Sequence, residues 1–150
     1  MKNNLVLNLS FLVFSLHFGG CISDPVDNIR KKANNDKDFL TEITWDYTNK
    51  DFGEIEEGQK LEVIYRFTNK GKKPLVIKNA KASCGCTVPS IPKEPIMPGQ
   101  TGLLKAIFDS NGRPGENHKN ITVFTNTNPG EQTLDFSVKV KPLQTGPIPK

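Results

Sequence analysis

A chain of 150 residues has the length of one hydrophobic core plus short appendages. Its hydrophobic content of 35% and mean hydropathy of -0.45 speak against a large ligand cavity and suit strands that each bury one face. The net charge of +4 is spread along the chain, and no basic run is interleaved with aromatic residues, which argues against nucleic acid as a partner.

Residues 1–20 read as a secretory signal: Lys2, an apolar stretch from Leu5 to Phe18, then Gly19, Gly20 and Cys21. The order resembles a bacterial lipoprotein signal in which Cys21 becomes the acylated first residue, although Phe18 stands where leucine is usual. The apolar run is shorter than the roughly 20 residues that span a bilayer and is spotted with polar side chains. The expectation is an exported protein anchored by lipid, sorted to the outer membrane because Ile22 and not aspartate follows the cysteine. Residues 21–38, with Asp24-Pro25, Arg30-Lys31-Lys32 and Asn34-Asn35-Asp36, read as a flexible tether too poor in apolar residues to pack.

From Phe39 the pattern is period-two alternation cut by turns about every ten residues. Ile43, Trp45 and Tyr47 share one face of a first strand. Phe52-Gly53 and Glu57-Gly58 read as turns around a short piece at Ile55. Leu61, Val63, Tyr65 and Phe67 alternate in a long strand that closes at Asn69-Lys70-Gly71-Lys72. A further strand starts at Leu75 to Ile77 and runs through Ala80 and Ala82 into Ser83-Cys84-Gly85-Cys86-Thr87-Val88-Pro89. Pro89, Pro92, Pro95 and Pro98 space out a stretch that cannot be a central strand. Gly102 to Phe108 alternates in a strand expected to be covered on both faces near its middle. After the turn-rich Asp109 to Gly115 come Ile121, Val123 and Thr125, a turn from Asn126 to Gly130, and a last strand through Leu134, Phe136, Val138 and Val140. Residues 142–150 form a Pro-rich tail, read as extended and exposed. The fold class is all-β: an immunoglobulin-like antiparallel β-sandwich of about seven strands over residues 39–141, with Trp45, Phe67, Phe108 and Phe136 at its centre.

Three cysteines are an odd set for a secreted protein; if Cys21 carries lipid, Cys84 and Cys86 remain as one pair. Residues i and i+2 of a strand share a face. Fully extended, their Cα atoms lie about 6.5 to 7 Å apart, at or beyond the edge of disulfide geometry, unless Gly85 bends the run. Three readings stay open. The pair is a local disulfide that latches the strand end. It is a soft site for Cu(I), with Met97 the nearby thioether and His118 a lone histidine across the domain. Or it exchanges with partner thiols, with Lys81 and Lys93 the only nearby cations.

Catalysis is not expected: His118 is the only histidine beyond the signal, and no nucleophile motif surrounds it. Asp109, Asn111 and Gly112 lack the glutamate that completes a calcium loop. Asn120-Ile121-Thr122 matches a glycosylation pattern of little meaning in a bacterial lipoprotein.

In order, Asp51-Phe52-Gly53, Glu57-Gly58, Phe67-Thr68-Asn69-Lys70-Gly71, Pro74-Leu75-Val76-Ile77, Ser83-Cys84-Gly85-Cys86-Thr87-Val88-Pro89, Pro95-Ile96-Met97-Pro98-Gly99, Phe108-Asp109-Ser110 and Gly115 resemble the bacterial domain of unknown function 1573 family, over about Asp46 to Val140. The resemblance implies an exported, often lipid-anchored, immunoglobulin-like domain and assigns no catalytic activity. The expected function is a non-catalytic, lipid-anchored module that binds another cell-envelope protein. The alternative is a metal or redox accessory protein using Cys84 and Cys86.

Overall fold

The computed structural model describes residues 24–143, so the signal, Cys21 and residues 144–150 of the tail lie outside the described residues. Eight strands form two sheets packed face to face: β1 (Ile43–Trp45), β2 (Asn49–Glu56), β3 (Lys60–Asn69), β4 (Ile77–Ala82), β5 (Thr87–Ser90), β6 (Thr101–Asp109), β7 (Gly115–Thr125) and β8 (Glu131–Lys141). The first sheet has the order β1-β3-β6-β5 and the second β2-β8-β7-β4. The all-β sandwich read from the alternation is the fold.

The alternation places the core. Val63, Tyr65 and Phe67 of β3, Leu104, Ala106 and Phe108 of β6, Ile121 and Val123 of β7, and Leu134, Phe136, Val138 and Val140 of β8 are all buried. Phe108 and Phe136 meet edge to face across the two sheets, with ring centroids 5.8 Å apart. Trp45 differs from expectation. It is half-buried at the sheet edge, against Phe67 and Tyr65, and its indole N–H donates to Gln132 Oε1. The first strand stops at Trp45 because the chain then crosses to the other sheet.

Four further expectations are corrected. The segment read as a flexible tether contains a helix, α1 (Pro25–Asn35). Asp24 caps its N-terminus, Pro25 fits its first turn, and Val26, Ile29, Arg30 and Ala33 recur at helical spacing on one side. Few apolar residues suffice because the helix leans on the domain: Ala33 is buried, and the Arg30 guanidinium donates to the Lys93 carbonyl. Second, Phe52-Gly53 does not end a strand; Gly53 takes a φ of 70° inside β2, where the register with β8 shifts. Third, β2 runs parallel to β8, the one parallel pair between the named strands. Fourth, β6 is covered on one face only, since Leu103 and Ile107 are exposed.

The chain passes between sheets at both flanks, from β1 to β2 after Trp45 and from β4 to β5 through the cysteine run. At the first flank Glu54 lies 2.9 Å from Lys139 Nζ and 2.7 Å from Lys141 Nζ of β8. Hydrogen bonds from Lys141 and then Lys139 hold its carboxyl at about 2, below the ordinary 4.5. A depressed carboxyl favours the fold above the ordinary value, and that contribution disappears as the pH falls toward 2. A carboxyl-carbon NMR titration should therefore place the Glu54 midpoint near 2, and high salt should move it back toward the ordinary value because the site is open to solvent.

Candidate functional site

The reactive run sits where the second sheet hands the chain to the first. Ala82, the last residue of β4, pairs with Ile121. Ser83 then grips β7 twice: its N–H donates to the Asn120 carbonyl (3.0 Å), and its Oγ accepts the Asn120 N–H (3.2 Å). Four residues on, Thr87 joins β6 opposite Phe108. Between them Cys84 and Cys86 are joined in a disulfide with Cα atoms 5.2 Å apart. The separation is shorter than an extended strand allows because the run bends as it crosses. The Thr87 N–H donates to the Cys84 carbonyl (3.4 Å), and the Asp109 N–H to the Cys86 carbonyl (2.8 Å). Gly85 has no positive φ, and a Cβ there would meet open space. The crossing turn, and not a left-handed glycine, closes the distance.

Cys86 is buried and belongs to the core, whereas Cys84 is half-buried. The Thr87 hydroxyl faces both sulfurs, 3.7 Å from Cys84 Sγ and 3.9 Å from Cys86 Sγ. The cations named from the sequence do not serve the pair. Lys81 Nζ lies over the Phe124 ring, 5.5 Å from its centroid. Lys93 follows β5 at the end of that strand away from the cysteines.

The proposed metal partners are also separated. Met97 precedes β6 and is bonded through its carbonyl to the Gln100 N–H. Asp109, which holds Cys86, ends that strand, so Met97 stands about 25 Å away along a nine-residue strand. His118 is nearer than its place in the sequence implies, because the Ser83–Asn120 pairing brings β7 alongside the run. It lies, however, opposite Ser137 on the outward face of the second sheet. There it lines a shallow depression of about 340 Å³ with Asn49, Asn120, Asp135 and Ser137. Among the described residues, no group of three or more His, Cys, Asp or Glu side chains is arranged to hold a metal.

The short ring a Cys-Gly-Cys bond closes limits what it adds to stability. Cys84→Ser with Cys86→Ser should cost about 1 to 2 kcal/mol by loop-closure entropy and leave a cooperative unfolding transition. Loss of that transition in a thermal melt would show that the latch carries much more.

Sequence reading missed a second surface beside this crossing. Val88 of β5 is 65% exposed, and its cross-strand partner Ile107 is 41% exposed. Leu103, four residues along the same face of β6, is 37% exposed. Lys105 stands between Leu103 and Ile107 on this face and pairs with Glu62 (3.2 Å), and the pair Arg66–Asp46 (3.7 Å) lies on the neighbouring side of the same sheet. The period-two pattern puts Leu103 and Ile107 at out-facing positions between buried neighbours, and which strands cover that face is set by the tertiary structure.

Among the described residues, no helix is long and apolar enough to cross a membrane. The family model for proteins of unknown function designated DUF1573 matches residues 43–140. No curated protein sequence matches the chain. A crystal structure of a protein of unknown function from Porphyromonas gingivalis W83 is similar with a TM-score of 0.54 at 16% identity, over 67% of this chain and 46% of that one. The VesB protease of Vibrio cholerae is similar with a TM-score of 0.51 at 12% identity, over 77% of this chain and 34% of that one. PapD-like domain 7 of human CEP192 gives 0.50 at 14% identity, over 71% of this chain and 89% of the domain. The chain thus spans less than half the length of either bacterial structure. These likenesses are of fold alone.

Proposed function

The chain belongs to the DUF1573 family, and from that premise we propose that it is a non-catalytic binding or assembly module of the cell envelope, exported and held to the outer membrane by lipid on Cys21. The observation that carries the reading is the exposed cross-strand pair Val88 and Ile107, with Leu103 beyond Lys105 on the same sheet face: exposed apolar side chains with charged neighbours suit a protein partner. The lipid anchor rests on the lipobox-like order ending in Cys21.

The test is recovery of cross-linked partners from native membranes. Val88→Lys with Ile107→Lys should abolish partner capture, while Cys84→Ser with Cys86→Ser should preserve it. Capture lost only in the cysteine variant would transfer the function to the thiols, and a tight Cu(I) site lost in that same variant would make the protein a metal accessory. Cys21→Ser should move the protein out of the membrane fraction; continued tight membrane association would count against the anchor.

A further inference from the structure

The short β1 leaves the neighbouring strand with a bare edge. Hydrogen bonds fix which way each residue of β3 points. Asn69 N–H donates to the Gln100 carbonyl, and Ser110 N–H donates to the Gln59 carbonyl, so odd-numbered residues face β6. Lys70 N–H donates to the Glu42 carbonyl, and Asp46 N–H donates to the Arg66 carbonyl, so even-numbered residues face β1. β1 pairs only Phe67 to Asn69, and after Asp46 the chain leaves for the second sheet. Asp46 thus occupies the Arg66 carbonyl, and from Ile64 back to Lys60 the outward edge of β3 has no partner strand among the described residues. Of its groups, the Ile64 carbonyl is taken by the Tyr47 hydroxyl. The N–H groups of Glu62 and Ile64 and the Glu62 carbonyl are left facing outward. Beneath this edge, Tyr47, Phe52, Ile55 and Leu61 are only partly buried where they pack on the core.

We infer that this edge is a strand-acceptor site: an extended segment of a partner protein pairs with β3 over Lys60–Ile64, in line with β1, and sets alternate apolar side chains over Leu61, Ile55 and Phe52. Only an extended backbone supplies acceptors and donors at the two-residue spacing of Glu62 and Ile64. Glu62 and Arg66 are already paired with Lys105 and Asp46, so shape and backbone bonding select the segment and charge does not. A second copy of this chain fits poorly. In a two-fold arrangement each β3 would meet the other copy's Asp46 once pairing passed Leu61–Tyr65. The edge strand β5 is a weaker candidate because Pro89 lacks a donor. The inference deepens the binding-module reading by naming a second surface, and it is tested without the natural partner.

The test is backbone amide exchange by NMR on the full chain, first alone and then with a synthetic peptide alternating valine and threonine at millimolar concentration. Alone, Glu62 and Ile64 should exchange about 100-fold faster than Val63 and Tyr65, which bond to β6. With the peptide, both should slow about fivefold while the amides of β5 and β7 keep their rates. Equal protection of even and odd residues in the free chain overturns the inference, and so does a peptide that leaves Glu62 and Ile64 unchanged. Protection that appears with rising protein concentration and no peptide assigns the edge to a second copy and equally overturns it. A failed edge with Val88 and Ile107 still required for capture leaves the module reading standing.

Discussion

Asn69→Ala should lower stability by about 3 kcal/mol and the melting temperature by roughly 15 °C, because it removes four hydrogen-bond contacts of one buried side chain at once. Asn69 is completely buried at the end of β3. Its Nδ2 donates to the carbonyls of Lys73 and Ile96, each at 2.8 Å. Its Oδ1 accepts the Gly71 N–H at 3.1 Å and faces the Thr41 hydroxyl at 2.8 Å. Those four partners come from the entry to β1, the β3–β4 connection and the loop before β6. Alanine leaves the Gly71 N–H without its partner and takes one of two donors from each carbonyl, since Lys73 keeps the Thr41 hydroxyl and Ile96 keeps the Leu75 N–H. Asn69→Asp should cost less than alanine only if the acceptor half of the node matters, since it keeps Oδ1 and loses both donors. Chemical denaturation of the three proteins decides it; a loss under about 1 kcal/mol in Asn69→Ala would mean that water replaces the amide at no great cost.

Phe108→Ala should cost about 4 kcal/mol, the usual loss for a large aromatic removed from a tightly packed core. Phe108 is fully buried, stacks edge to face on Phe136 and so couples the two sheets. It also lies opposite Thr87, and Asp109 beside it holds the Cys86 carbonyl. The cavity would therefore open next to the disulfide. In addition to the stability loss, reduction of the disulfide by a fixed thiol concentration should be faster than in the wild type, because local opening exposes Cys86. An unchanged reduction rate together with the full loss of stability would show that the crossing is held from β7, through Ser83 and Asn120, and not from β6.

Much of the sandwich is legible in the alternation. Val63-Tyr65-Phe67 and Leu134-Phe136-Val138-Val140 bury one face each because side chains of a strand point to opposite sides at every step. The same rule was misread at Gly102 to Phe108, where Leu103 and Ile107 were expected to be covered. An apolar side chain on the outward face carries no mark that separates a covered position from an exposed one. Helix α1 was missed for a related reason: Val26, Ile29 and Ala33 are few, and what gives them a surface to lean on is the folded domain. Asn69 and Asn126 read as turn residues and are turn residues. That Asn69 bonds three separate segments and Asn126 two appears only when distant groups converge on them.

The residues alone carried the all-β class, most of the strands and the inner faces of β3, β7 and β8, and they left the state of Cys84 and Cys86 open among a disulfide, a metal site and thiol exchange. These are local properties, set by side-chain period, turn chemistry and spacing. The tertiary structure alone decided that the cysteine run is the bridge between two sheets, that Met97 stands at the far end of β6 from it, and that β3 keeps an open edge. Each depends on which strand lies beside which, and that choice follows from burying both inner faces together and not from any single stretch of residues.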